Sequence, residues 1–166
     1  MLHIERFQVN MLQENCYVVS DDTLECVIID CGAFYPEERK AITEYIKKNN
    51  LKPVHLLVTH GHLDHNFGND TIYQEFGLKP EVAQGDEKLM KGLAHQAETF
   101  YQMQLDTQFP PYRYLFLHLL YSPLQDNLRT PFNAVSMLPY RYFYNCYPAP
   151  SVSALYPIII HARTLD

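Results

Sequence analysis

The segment Thr59 to Asp70, THGHLDHNFGND, sets three histidines and an aspartate within six consecutive residues, directly after the run His55-Leu56-Leu57-Val58. His60 and His62 are two residues apart, so in an extended chain leaving a strand both imidazoles project to one side and can bind one metal. Asp64 and His65 follow after Leu63. A turn there carries them to an adjacent position, where a carboxylate oxygen and a ring nitrogen suit a second zinc-like ion. Two such ions about 3.5 to 4 Å apart can clamp the attacking and leaving oxygens of a hydrolysis. Gly61 is expected to let the backbone turn tightly between the ligands. With eight histidines in 166 residues, this pattern arises by accident on the order of one time in a thousand.

A loop of this kind needs strands and helices to hold it. Leu2 to Val9 and Asn15 to Ser20 read as strands joined by a short turn, and Glu25 to Asp30 as a third, buried strand ending at Cys31-Gly32. Pro36 suits the first residue of a helix over 36–49. Its first turn has Glu37-Glu38 and its last Lys47-Lys48, with Ala41, Ile42, Tyr45 and Ile46 on the buried face. A strand from Pro53 to Val58 then delivers the histidine loop. Asp70 to Phe76 reads as a short helix stopped by Gly77, followed by a strand near Glu81-Val82-Ala83 and a helix from about Asp86 to Gln104.

At 166 residues the chain is long enough for one domain with a real core and too short for two ordinary ones. A formal charge of -6, with 17 acidic against nine basic side chains in residues 1–110, argues against nucleic acid and anionic membrane as partners. Glu5 and Arg6 stand where a secretory signal would need apolar residues, and no stretch approaches the roughly 20 apolar residues of a membrane span, so a cytoplasmic protein is expected. Cys16, Cys26, Cys31 and Cys146 show no CxxC pairing and read as buried free thiols.

Composition changes at residue 111. The last 56 residues contain no Gly, Lys or Glu, yet hold eight of the 13 tyrosines and seven of the 11 prolines. Without glycine no turn reaches positive φ easily, and the recurring prolines interrupt helices and central strands. The apolar run Tyr114 to Tyr121 is expected to be a short buried or partner-facing element.

THGHLDH resembles the principal motif of the metallo-β-lactamase fold superfamily. ENCYVV, Glu14 to Val19, followed by VIIDCG, Val27 to Gly32, resembles the first hairpin of its hydroxyacylglutathione hydrolase (glyoxalase II) branch. The resemblance covers about residues 1–110. It implies an α/β fold, the αββα sandwich of two sheets flanked by helices, with the first half well specified and the second atypical or incomplete. It implies a zinc-dependent hydrolase acting on a small-molecule thioester through metal-bound hydroxide. By the same resemblance His60 and His62 serve the first zinc and Asp64 and His65 the second, Asp64 being the catalytic carboxylate. Asp30 matches the strand-end aspartate that supports the loop.

The family completes its sites with a histidine in a T-P-G-H-[ST] turn, an aspartate at a G-D strand end and a histidine near G-H-G, and none of these is present. His95, His118 and His161 read as ordinary core or surface histidines. Each metal is left with two protein ligands where a catalytic zinc normally has three. One explanation covers both the missing ligands and the odd tail: residues 111–166 are translated from a shifted reading frame, since HARTL can be encoded so that one base later it reads Thr-Pro-Gly-His-Ser. The alternative is a divergent segment that packs differently or contacts another protein. Impaired hydrolysis is then expected, and the contrasting reading is a silent interaction module with a vestigial metal loop.

Overall fold

Alternation of buried and exposed residues gives the first hairpin its shape. In β1 (His3–Val9) and β2 (Glu14–Ser20), paired antiparallel from His3↔Ser20 to Val9↔Glu14, the residues Phe7, Val9, Cys16 and Val18 share the face turned to the helices. The computed structural model describes residues 1–105 and 108–115, and its compact unit runs Met1–Leu115. β3 (Glu25–Ile29) continues the antiparallel pairing. From there the sheet turns parallel, through β4 (Lys52–Val58), β5 (Pro80–Val82) and β6 (Arg113–Tyr114), in the order β1-β2-β3-β4-β5-β6.

Parallel neighbours require a crossover, and α1 (Pro36–Lys48) supplies it between β3 and β4. Ile42 and Ile46 on α1 are fully buried and meet Ile28 and Leu56 from the sheet and Ile72 from α2 (Asn69–Phe76). Glu38 in the first turn accepts hydrogen bonds from the backbone N–H groups of Asn10 (2.9 Å), Phe34 (2.9 Å) and Tyr35 (3.1 Å). It thus caps the helix and ties it to the end of β1. Gly77 ends α2 at φ +73°, as its lack of a Cβ allows.

A second core forms where Leu63 and Phe67 of the histidine loop meet Val58, Val82, Met90, Leu93 and Ala97. The helix expected from Asp86 to Gln104 is instead two, α3 (Glu87–Lys91) and α4 (Leu93–Tyr101), preceded by a 3-10 turn over Gln84–Asp86. Gly92 is the break. Its N–H closes on Leu89 O at 3.0 Å while its carbonyl starts α4 by accepting from Gln96 N at 2.9 Å.

The composition break at 111 and the edge of the compact unit do not coincide. Residues 111–115 return to the sheet, with Leu115 N–H donating to Val82 O at 2.9 Å. Pro110 and Pro111, which precede this short strand, cost it no ladder hydrogen bond. Arg113 there reaches Glu81 at 2.7 Å, and Glu81 also contacts His55 at 2.8 Å, linking β4, β5 and β6. Cys16, Cys26 and Cys31 are buried free thiols. His118, His161, Cys146 and nearly all of Tyr114 to Tyr121 lie outside the described residues. Among the described residues, no helix is long and apolar enough to cross a membrane.

Candidate metal centre

Two strand ends are laced together beneath the histidine loop. At the end of β3, Asp30 adopts left-handed φ of 52°, and its N–H donates to Leu57 O at 2.9 Å. Its carboxylate then receives the Thr59 N–H and the Thr59 hydroxyl, each at 2.7 Å. That fixes where the chain leaves β4, at the carboxyl ends of parallel strands where open α/β sheets place their sites.

From that anchor the expected side chains converge. His60 Nε2 lies 3.1 Å from His62 Nδ1. The His60 ring centroid is 4.1 Å from that of His65, and His65 Nε2 lies 3.5 Å from Asp64 Oδ2. Two nitrogens bound to one tetrahedral zinc at about 2.0 to 2.1 Å stand roughly 3.3 Å apart, so the His60 and His62 pair has the spacing of a chelate. The donor set of imidazoles with one carboxylate fits a zinc-like ion.

His65 shows the division of labour most clearly. Its Nδ1 faces carboxylates, 3.2 Å from Asp30 Oδ2 and 3.5 Å from Glu14 Oε1, without a well-formed hydrogen bond to either, and its Nε2 is left toward Asp64. Glu14, Asp30 and His65 do bring ligand atoms within 4.8 Å of one another. Carboxylates behind one ring nitrogen are, however, the arrangement that fixes the tautomer of a metal-binding imidazole from its far side. Burial, followed by the charges of Asp30, Cys31 and Asp64, pushes the Glu14 carboxyl up to about 10, so it is neutral at pH 7. A neutral carboxyl supports the ring without adding charge to the cluster.

The imidazoles themselves are poised differently. Burial, then the neighbouring His65, lowers His60 to about 4, which keeps it neutral and available as a ligand. For His65 burial works in the same direction, but the adjacent Asp30 and the charge of Asp64 outweigh it and hold its pKa above the ordinary value.

Side chains from within the loop and from elsewhere pair its backbone. Asn66 Nδ2 donates to His62 O at 2.6 Å and His60 O at 3.3 Å, and Gly61 N–H reaches Asp86 Oδ1 at 3.3 Å. Gln96 on α4 accepts from Leu63 N–H and donates to Gly61 O, both at 3.0 Å. Asn10 Nδ2 bridges Asp64 O at 2.9 Å and Gly32 O at 3.0 Å. Arg39 binds both oxygens of Asp70, at 2.7 and 2.8 Å, and Phe67 O at 2.6 Å, fastening α1 to the loop's exit.

Gly61 is required for a different reason from the expected tight turn. Its φ is not in the left-handed region, and a Cβ there would sit 2.6 Å from Leu89 Cβ and 3.1 Å from Met90 N, so α3 packs where a side chain would be. Gly32 has the same role opposite Asp64. His95 is exposed on α4, 3.4 Å from Thr99 Oγ1, and stands apart from the cluster. Glu14, Asn10, Asn66 and Gln96 carried no metal-seeking spacing. Glu14 alone has a sequence signal, a polar residue opening the apolar strand ENCYVVS.

Residues 9–134 match the sequence model of the metallo-beta-lactamase superfamily. The chain is 33% identical over 112 residues to the hydroxyacylglutathione hydrolase GloC of Haemophilus influenzae, covering 66% of this chain and 50% of that protein. It is 32% identical over 83 residues to the probable metallo-hydrolase YqgX of Bacillus subtilis, 49% of this chain and 36% of that one. It thus spans half or less of the length of these relatives. Among solved structures, the B3 metallo-beta-lactamase BLEG-1 is similar with a TM-score of 0.59 at 22% identity, over 69% of this chain and 54% of that one. TTHA1623 in a di-iron-bound form gives 0.56 at 25%, over 68% and 54%.

Proposed function

The chain belongs to the metallo-beta-lactamase superfamily, and from that premise we propose that it carries the metal-binding half of a zinc-dependent hydrolase of small-molecule thioesters of the hydroxyacylglutathione type. The observation that carries the reading is the convergence of one loop's donors, His60 Nε2 with His62 Nδ1 at 3.1 Å and His65 Nε2 with Asp64 Oδ2 at 3.5 Å. His60 and His62 would hold one ion, Asp64 and His65 a second. A divalent ion there supplies a Lewis acid that polarises the carbonyl and makes water acidic enough to attack near neutral pH.

The chain's own residues set the geometry of that attack. Asp64, whose carbonyl is clamped by Asn10 at 2.9 Å, is the proposed acceptor of the proton released by the attacking water, at Oδ1, the carboxylate oxygen not turned to His65. Asp30 and Glu14 orient His65 from behind. The assignment to hydroxyacylglutathione is supported by the GloC relative, and cytoplasmic residence by Cys16, Cys26 and Cys31, free thiols among the described residues.

A second reading rests on ligand number. Among the described residues each metal has two protein donors in the cluster, which favours weak binding and slow turnover, or an interaction module that keeps a vestigial loop. Residues 116–166 would then be a divergent or frame-shifted segment available for protein contact. Metal analysis of the purified chain together with hydrolysis of a hydroxyacylglutathione tests the choice. Zinc-dependent thioester cleavage that Asp64→Asn abolishes supports the hydrolase. Zinc binding without cleavage supports the module, and no zinc binding at all overturns the metal assignment.

A further inference from the structure

Between the strand-end aspartate and the first histidine of the loop stands a hydroxyl. Thr59 Oγ1 lies 2.7 Å from Asp30 Oδ2 and 3.0 Å from His60 Nδ1. A threonine hydroxyl has one hydrogen to donate and two lone pairs with which to accept, whereas a carboxylate only accepts. The hydroxyl hydrogen is therefore spent on Asp30 Oδ2. Toward His60, Thr59 Oγ1 acts as the acceptor, and the ring must bring the hydrogen, on Nδ1.

The consequence runs on to the next ring. A neutral imidazole with its hydrogen on Nδ1 has a bare Nε2, and in His60 that is the atom 3.1 Å from His62 Nδ1. In the metal-free chain the hydrogen between these two nitrogens belongs to His62, and it occupies the place an ion would take. Asp30 Oδ2 also faces His65 Nδ1 at 3.2 Å. One carboxylate oxygen thus stands behind a histidine of each proposed metal site, directly for His65 and through a hydroxyl for His60. The Thr59 N–H, given to Asp30 Oδ1 at 2.7 Å, holds the carboxylate in that orientation.

We infer that Thr59 is a positioning residue whose hydroxyl passes the hold of Asp30 to His60, fixing the hydrogen on Nδ1 and presenting Nε2 to metal. Its purpose rests on the proposed metal reading of this loop, whereas the place of the hydrogen is a property of the metal-free chain. Partners behind a ligating imidazole set the orientation and basicity of the ring, and their loss typically weakens metal binding 10- to 100-fold.

Long-range proton–nitrogen NMR of the metal-free, nitrogen-15-labelled chain at pH 8, where an ordinary imidazole is neutral, reads the tautomer of each ring. His60 is expected to carry its hydrogen on Nδ1. Thr59→Val, close in shape but without the hydroxyl, should lose that single tautomer and bind zinc about tenfold or more weakly in competition with a chelating dye. Thr59→Ser, which keeps the hydroxyl, should retain both properties. A native chain with the His60 hydrogen on Nε2, or shared between the two nitrogens, overturns the inference. So does a folded Thr59→Val chain that binds zinc within about twofold of the native one, or a Thr59→Ser chain that loses as much as Thr59→Val. A native chain that binds no zinc overturns the metal reading, and the tautomer still decides the role of the hydroxyl. The tautomer is read in the native chain, so it gives an answer even where a variant does not fold.

Discussion

Gly32→Ala places a methyl group against the backbone that carries the metal loop. The new Cβ would lie 2.0 Å from Asp64 O and 2.5 Å from Glu14 Oε2. An ordinary C···O approach is about 3.3 Å, so the two segments must separate by roughly 1.3 Å. Neither can move freely, because Asn10 Nδ2 holds Asp64 O at 2.9 Å and Gly32 O at 3.0 Å. The clamp breaks and Asp64 shifts by more than the roughly 0.5 Å that a metal site tolerates. Zinc affinity should fall about 10- to 100-fold, and overpacking should cost about 1–3 kcal/mol of stability. Competition of zinc against a chelating dye at pH 7, and urea denaturation of the zinc-free chain, measure the two effects. A variant that keeps zinc affinity within about twofold and an unchanged urea midpoint would refute the close-packing argument and the role of Asn10 with it.

Other substitutions separate charge from packing. Glu14 has its folded pKa raised to about 10, so its contribution to stability is complete below its ordinary carboxyl range and is lost as pH rises toward that value. In zinc-free protein Glu14→Gln should therefore gain on the native chain between pH 5 and 8, by at most about 1.4 kcal/mol per pH unit; a gap independent of pH in urea denaturation would contradict this. Burial would raise Glu81, but the hydrogen bonds from His55 and Arg113 outweigh it and depress its pKa, so its contribution is present above the ordinary carboxyl range and lost as pH falls through the folded value. Glu81→Gln should cost about 1.5–3 kcal/mol at pH 7, with the gap closing in acid; an unchanged gap at pH 3 would count against it. Arg39→Met leaves the buried Asp70 carboxylate without its partner and should cost about 3–5 kcal/mol. The double change with Asp70→Leu should recover much of that, as thermal unfolding can show.

Much of the fold is legible in the sequence because its signals are local. The Pro36 start and Lys48 end of α1, the Gly77 stop of α2 and the apolar run of β4 are each written within a few residues. The histidine cluster is legible for the same reason, since its ligands are neighbours in the chain. What holds it is not. Asn10 and Asp64 are 54 positions apart, and Leu63 and Gln96 are 33 apart, so a polar side chain meets a backbone group only once the sheet and helices are assembled. Gly61 and Gly32 illustrate the limit from the other side. Glycine signals a turn locally, whereas here the missing Cβ answers a contact with α3 or with Asp64 that only packing creates. The break at Gly92 was equally hidden, because one glycine in a helical pattern does not by itself decide between a tolerated residue and a stop.

One face of the loop is proposed to bind metal while the other is braced by Asp30 and the Glu14 carboxyl, and the nitrogen each histidine uses tests this directly. Long-range proton–nitrogen NMR of the zinc-loaded, nitrogen-15-labelled chain reports, ring by ring, which nitrogen bears metal and which bears hydrogen. The structure predicts zinc on Nε2 of His60 and His65 and on Nδ1 of His62, with a proton on His65 Nδ1 facing Asp30 at 3.2 Å. Zinc on Nδ1 of His65, among Glu14 and Asp30, or histidine signals that do not change with zinc, would contradict it.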